Sequence, residues 1–197
     1  MSKPTNEFAK NVKFEPLTSK SWTLFEKLMG ERGGCGGCWC MAYRLPTKEF
    51  HVNKFEGNKK LMKKIVAANQ PTGLIATCDG EPIGWVALAP REDFCKIETA
   101  RTLKRIDHKP VWSIPCFFVR KEYRKQGLSK LLIKGAIGYA KKHKIKTLEA
   151  YPVIPYSEKM PDAFLWIGAL SAFTSNGFKV VQKNGKRKRM VRLDLKI

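Results

Sequence analysis

Arg124-Lys125-Gln126-Gly127-Leu128-Ser129 lies between an apolar run and an amphipathic pattern, and its residue types suit the holding of an anion. A small, permissive turn at the start of a helix leaves backbone N–H groups without partners. They sit at the positive end of the helix dipole, where a phosphate can replace those partners. Gly127 permits close approach of a ligand to the backbone. A second chemically unusual stretch is Gly33-Gly34-Cys35-Gly36-Gly37-Cys38-Trp39-Cys40. Three thiols in this C-x2-C-x-C arrangement could bind a soft metal such as zinc or form a redox pair. No fourth ligand lies close by in sequence, His51 being the nearest histidine, so the stretch also reads as a flexible glycine turn whose cysteines are small packing residues.

The elements that must position these residues can be read from periodicity. Trp112 to Val119 is aromatic and β-branched enough for a buried strand, and from Gly127 the apolar residues take up helical spacing. Leu128, Leu131, Leu132, Gly135, Ala136 and Tyr139 fall on one face of that helix, with Lys130, Lys134 and Lys141 on the other. Upstream, residues 1–11 read as a loosely held segment and Val12 to Leu17 as an edge strand. A helix follows through Trp22, Phe25, Leu28 and Met29, with Ser19 or Ser21 as cap and Gly30 as stop. Asn58 to Gln70 is a second surface helix. Gly73 to Cys78 and Ile83 to Leu88 form a hairpin about Asp79-Gly80, and Arg91 to Arg105 is a helix or irregular cover. Downstream come a strand from Thr147 to Val153, a helix from about Asp162 to Ser175 that includes Leu165, and a hairpin pairing Phe178 to Gln182 with Met190 to Leu195 about Asn184-Gly185.

The anion-cradle segment resembles the R/Q-x-x-G-x-G/A motif of the GNAT acyltransferases, which holds the pyrophosphate of acetyl-coenzyme A, with Ser129 in place of the final Gly or Ala. The element order is similar to the GNAT fold over most of the chain, and Phe173-Thr174-Ser175-Asn176-Gly177-Phe178 matches the family's Y-E-K-L-G-F-like segment at the Gly and the following Phe. The resemblance implies an α/β (α+β) fold in a single domain over 1–197: a mixed central sheet with a splayed parallel strand pair, flanked by helices. It implies an N-acetyltransferase that moves the acetyl group of acetyl-CoA directly to an amine, on a small molecule or another accessible acceptor, without a metal.

By the same resemblance, Phe117, Phe118 and Val119 supply backbone contacts to the pantetheine arm. Gln126, Gly127, Leu128, Ser129 and Lys130 supply N–H groups to pyrophosphate, and Arg124 and Lys125 add charge. The connection after the first helix forms part of the acceptor wall, which points to Cys38, Trp39, Met41 and Tyr43. The family's tyrosine acid falls at Phe173, which lacks the hydroxyl. Either another group protonates the departing thiolate or it leaves through solvent. Tyr151 and Tyr156 lie near the expected splay, and Glu149 alternates with Tyr151 on one strand face, which makes it a candidate base or, equally, a paired or solvated strand-end carboxylate. Cys116, between Pro115 and Phe117, reads as a small buried residue, with covalent acyl transfer as the competing reading.

The chain has 197 residues, 43% hydrophobic and 28% charged, enough apolar material for a sizeable core. It contains no apolar run of about 18 residues and no basic-then-apolar leader, from which a cytosolic protein without membrane association is expected. The six cysteines fit that compartment as thiols. A net charge of +21 favours anionic partners and keeps a nucleic-acid-binding reading open. However, the densest basic run, Lys183 to Arg189, carries no interleaved aromatic residues for base stacking and reads as the tip of a hairpin. A dimer through the final hairpin or a sheet edge is also open.

Overall fold

The structure is a computed structural model that describes residues 6–156 and 166–196. Its elements are α1 (Asn6–Asn11), β1 (Val12–Pro16), α2 (Trp22–Met29), α3 (Thr47–Val52), α4 (Glu56–Ala67), β2 (Gly73–Cys78), β3 (Glu81–Ala87), β4 (Ala89–Pro90), α5 (Cys95–Glu98), β5 (Trp112–Ile114), β6 (Phe117–Val119), α6 (Leu128–Lys142), β7 (Thr147–Ala150), α7 (Leu170–Thr174), β8 (Lys179–Asn184) and β9 (Lys188–Asp194). The strands form two half-sheets, β1-β2-β3-β6 and β4-β5-β7-β9-β8. β3 runs into β4 across Leu88, and β5 runs into β6 across Pro115 and Cys116. Every pairing in both halves is antiparallel except β5 with β7.

The continuous strand expected over Trp112 to Val119 is therefore two strands. Proline has no N–H to give a ladder and fixes its own φ, so Pro115 interrupts pairing where both neighbours would otherwise claim it. Two further differences are local, at residues 6–11 and at α3. Residues 6–11, expected to be loosely held, form α1, where Phe8 stacks on Tyr123 at 6.1 Å and packs against the core. The Arg91 to Arg105 cover is irregular: a 3-10 turn at Arg91–Asp93, the single turn α5, and another 3-10 turn at Arg101–Leu103. Short α3 has no buried residue, hence no apolar stripe to announce it. Of the helix expected from Asp162 to Ser175, α7 alone is helical among the described residues: 166–169 make a turn and a bridge from Ala169 to Val153 instead, and 162–165, with Leu165, lie outside the described residues.

Three apolar clusters hold the layers. α6 lays Leu128, Leu131, Leu132, Ile133, Ala136 and Ala140 against one face of both half-sheets. Each such large side chain, fully buried, contributes roughly 1.5–3 kcal/mol. On the opposite face α2 packs Trp22, Phe25, Leu28 and Met29 with α4's Met62 and Val66 against Ile75 and Trp85. The irregular cover buries Phe94 and Ile97 with Tyr151 and Met190. Among the described residues no helix is long and apolar enough to cross a membrane.

α6 approaches β1 so closely that a Cβ at Gly135 would lie 2.6 Å from the ring of Phe14. Gly135→Val should lower stability by about 1–3 kcal/mol, the usual cost of overpacking; urea unfolding measures it, and an unchanged midpoint would mean that the helix sits farther from the strand.

Candidate functional site

β5 and β7 run in parallel register from Trp112↔Leu148 to Ile114↔Ala150, and there the pairing ends. Beyond it β6 follows β3 into one half-sheet while residues 151–153 diverge. The Thr147 to Val153 strand of the sequence reading thus stops at Ala150, with Val153 making only isolated bridges. Ala87 N–H donates to the Cys116 carbonyl at 3.0 Å and Arg120 N–H to the Ile83 carbonyl at 3.1 Å. Backbone groups alternate along a strand, so Phe118 turns its N–H and C=O toward β3, and Phe117 and Val119 turn theirs toward the opening. Of the three residues expected to offer backbone contacts there, the register thus directs Phe117 and Val119, but not Phe118, into the cleft. The Phe117 N–H is engaged by the Trp166 carbonyl at 2.7 Å, and Val153 N–H bonds the Gly168 carbonyl at 3.0 Å, so the 166–169 segment lines the opening from both sides.

At the end of β6 the chain makes a 3-10 turn over Lys121–Tyr123 and enters α6 through two left-handed residues, Lys125 at φ 60° and Gly127 at φ 78°. The Gly127 conformation suits glycine and turns the first N–H groups of α6 outward. Leu128 and Ser129 occupy that first turn. The Lys130 N–H is closed on the Gly127 carbonyl at 3.0 Å, which removes it from the expected donor set. Arg124 Nε donates to the Val119 carbonyl at 3.1 Å and Gln126 Nε2 to the Glu122 carbonyl at 2.8 Å, so both side chains brace the turn against its own backbone. The cradle segment therefore begins directly beyond the exposed edge of β6.

Glu149 and Tyr151 belong to a different structure. Glu149 is fully buried; its Oε1 accepts from Arg91 Nη1 and from the Tyr151 hydroxyl at 2.6 Å, and its Oε2 from Arg192 Nε at 2.7 Å. Because the Tyr151 proton goes to Glu149, the Ser113 hydroxyl, 2.9 Å away, donates to Tyr151. Burial, and then the Glu149 charge, push the Tyr151 phenol far above its ordinary range. For Arg192, burial opposes the charge, but the hydrogen bonds it donates to Asp107 and Glu149 outweigh it and raise its pKa. Arg91 also binds Glu98 and the Leu103 carbonyl, and Arg192 binds Asp107 at 2.7 Å. The network staples the irregular cover to the sheet. With both carboxylate oxygens occupied and no exposed surface, Glu149 is placed as the paired carboxylate of the two readings rather than as a base, and Tyr151 is equally enclosed.

The cysteine stretch divides similarly. Trp39 and Met41 point into the core, Trp39 lying 6.3 Å from the Trp22 ring in a stacked pair, so neither presents a side chain to an acceptor. Cys38 and Tyr43 face the break instead. A Cβ at Gly34 would lie 3.6 Å from Cys38 Sγ and 3.8 Å from the Phe118 ring, and the Tyr43 ring is 5.5 Å from Trp166. Cys40 and Cys116 are buried with their sulfurs 4.0 Å apart. A hydrogen bond from the Cys40 thiol, assisted by nearby backbone N–H groups, lowers the Cys38 pKa to about 6 despite its burial. Burial foremost, then the neighbouring thiols, push Cys40 well up. Burial raises the Tyr43 phenol. Among the described residues no group of three or more His, Cys, Asp or Glu side chains is disposed to hold a metal ion.

Phe173 lies fully buried beside the opening, its ring 5.8 Å from Phe117 and 5.2 Å from Phe178. Tyr156 is exposed, with the Arg187 guanidinium 5.5 Å from its ring centre. Sequence reasoning passed over Trp166, which supplies both a ring and a carbonyl to the opening, and over Arg91 and Arg192. Arg192 sits in a β-alternating segment opposite Glu149, and that pairing was a signal available only once the strand partners were known.

The profile of the acetyltransferase (GNAT) family matches residues 39–184. No curated protein sequence matches the chain. Among solved structures, the chain is similar to protein PH1933 from Pyrococcus horikoshii OT3 at 15% identity and TM-score 0.52, covering 94% of this chain and 99% of that one. It is also similar to an N-acetyltransferase from Staphylococcus aureus Mu50, at 13% identity and TM-score 0.51 over 94% and 99% of the two chains. At these identities the likeness is one of fold.

Two measurements check the site as described. Glu149→Gln leaves two buried guanidinium groups short of a charge partner and should cost about 3–5 kcal/mol in urea unfolding. A base with no structural part would leave stability within about 0.5 kcal/mol. Iodoacetamide should modify Cys38 at a rate that rises with pH to half its plateau at about 6, before Cys40 or Cys116 react. Because the folded-state pKa is depressed, the stability contributed by the Cys38 thiolate is present above the unfolded pKa near 9 and fades as pH falls to about 6.

Proposed function

The chain belongs to the acetyltransferase (GNAT) family, and from that premise we propose that it passes the acetyl group of acetyl-CoA directly to an amine within a ternary complex. The observation that carries the reading is the continuity of two features. An opening where β5 and β7 stop pairing leads along the Phe117 and Val119 edge straight to the left-handed Gly127 and the first turn of α6. An extended pantetheine arm with amide groups suits a strand edge. A pyrophosphate suits outward N–H groups at a helix start, and the N–H groups of Gln126, Gly127, Leu128 and Ser129 are the set assigned to it. Lys121, Lys125 and Lys130 surround that turn in sequence and add long-range attraction for the nucleotide phosphates.

In the transfer, the amine nitrogen attacks the thioester carbonyl carbon, the carbon–sulfur bond breaks, coenzyme A leaves as a thiolate, and the ammonium nitrogen gives its proton to water. Positioning supplies most of the acceleration in such a reaction. Glu149 and Tyr151 are not assigned a part because their polar atoms are committed to the buried network. Phe173 carries no proton to donate, so the departing thiolate takes its proton from solvent, which the ordinary acidity of a thiol allows. Cys38, Tyr43, Phe118 and Trp166 form the acceptor wall in this reading, and the anionic Cys38 favours approach of a cationic amine, which gives one proton to water before its nitrogen attacks.

Gly127→Glu puts bulk and negative charge into the cradle while leaving α6 an acidic first turn, which helices accept. Calorimetric titration with acetyl-CoA should give heat with the native chain and none with the variant. Absence of heat with the native chain would defeat the proposal. An amine panel followed by free-thiol detection then identifies the acceptor, and thiol release without any amine dependence would reassign the protein to thioester hydrolysis.

A further inference from the structure

Two buried cysteines from different elements meet: Cys40, from the glycine loop of residues 33–40, and Cys116, from the interruption between β5 and β6, have their sulfurs 4.0 Å apart, and the partly exposed Cys38 lies two residues before Cys40. We propose that this cluster is a peroxide-responsive modification site whose end product is a Cys40–Cys116 disulfide joining the glycine loop to the break in the sheet. The inference stands on the thiol geometry and does not depend on acetyl transfer.

The geometry supplies a reactive thiol and a destination. Cys40 and Cys116 are buried with sulfurs in contact at 4.0 Å, so a bond between them needs local side-chain movement and little travel of the chain. Neither is well placed to meet an oxidant in solution. Cys38 is partly exposed, and the neighbouring Cys40 thiol favours its thiolate. Cys35, on the same loop, is exposed, which makes it the internal comparison.

The chemistry balances with hydrogen peroxide as oxidant. The Cys38 thiolate attacks one peroxide oxygen; the sulfur–oxygen bond forms, the oxygen–oxygen bond breaks, and hydroxide leaves and takes a proton. The Cys40 sulfur then attacks the Cys38 sulfenic acid, forming a disulfide and releasing the second water with the Cys40 proton. Cys116 next attacks the Cys40 sulfur, and Cys38 departs as thiolate. That direction follows from position: Cys40 Sγ is the sulfur that Cys116 meets, at 4.0 Å, so attack falls on it and releases Cys38. In sum, two thiols and one peroxide give one disulfide and two waters, and Cys38 is regenerated.

The native chain treated with hydrogen peroxide, alkylated and digested with trypsin without reductant tests this. The expected product joins peptide 33–44 to peptide 106–120, with fragmentation locating the bond at Cys40 and Cys116. Cys35→Ser should leave its yield unchanged, and Cys38→Ser should slow its formation at least about tenfold, since the thiolate is the peroxide nucleophile. Cys116→Ala should stop the reaction at a disulfide within peptide 33–44. The proposal is overturned if Cys38, Cys40 and Cys116 are all recovered as thiols once Cys35 is oxidised, or if the cross-link forms as fast in folded Cys38→Ser. The native-chain result decides the product even where a cysteine variant fails to fold.

Discussion

A proline in the middle of a strand sets the architecture of the opening. Pro115 has no N–H to donate, and at this interruption the strand from Trp112 keeps the β3–β4 segment on one side and loses β7 on the other. Before the interruption β5 pairs with β4 and β7, and after it β6 pairs with β3 alone. The consequence is a cleft at the centre of the sheet rather than at its rim, toward which Phe117 and Val119 turn their backbone groups, with the Phe117 N–H taken by the Trp166 carbonyl and the Val119 carbonyl by Arg124. The same interruption brings Cys116 out of the ladder and into contact with Cys40. One missing donor thus shapes both the proposed donor channel and the thiol cluster.

A cleft opened in the middle of a sheet has to be braced from elsewhere, and the buried network around Glu149 does so. Glu149 pairs with Ser113 in parallel and with Arg192 in antiparallel register, just before the two halves part. Arg91 ties it to Glu98 and Leu103 within the irregular cover, and Arg192 reaches Asp107 just beyond the cover. Buried ions are costly to desolvate, and this arrangement is stable because every charged group meets a partner of opposite sign with directed hydrogen bonds. A cover with little regular secondary structure has few backbone bonds of its own to hold it in place. Side-chain ion pairs do that work instead.

How much of this was legible in the sequence depends on the range of the interactions involved. α6 and the β2–β3 hairpin announce themselves through local periodicity, and Gly127 through its setting between strand and helix. The Pro115 interruption was written in the sequence, but an aromatic and β-branched run on both sides of it reads as one strand unless the partners of each half are known. Glu149 illustrates the other limit. A carboxylate beside a tyrosine on a strand has the composition of an acid–base pair, and only the approach of Arg91, 58 positions away in the chain, and Arg192, 43 away, turns it into a structural ion pair. Trp39 and Met41 look like wall residues because they neighbour Cys38, yet left-handed conformations at Trp39 and Cys40 swing successive side chains to different sides.

Those left-handed turns explain why glycine is so dense in the loop that carries the thiols. A Cβ at Gly37 would lie 2.5 Å from the Phe55 backbone nitrogen, which donates to the Gly37 carbonyl at 3.0 Å, and a Cβ at Gly33 would strike the Trp39 ring at 2.3 Å. The buried Asn58 side chain donates to the same Gly37 carbonyl at 3.0 Å, so the loop is fastened to the start of α4 by backbone that only glycine leaves room for. What reads in sequence as flexibility is close packing in the fold. Holding Trp39 and Cys40 at positive φ costs of order 1–3 kcal/mol each, a cost that burial of the Trp39 ring can offset. The result of that strain is a fixed display in which Cys38 faces the opening and Cys40 faces Cys116, so that the chemistry of the loop follows from the packing of its glycines.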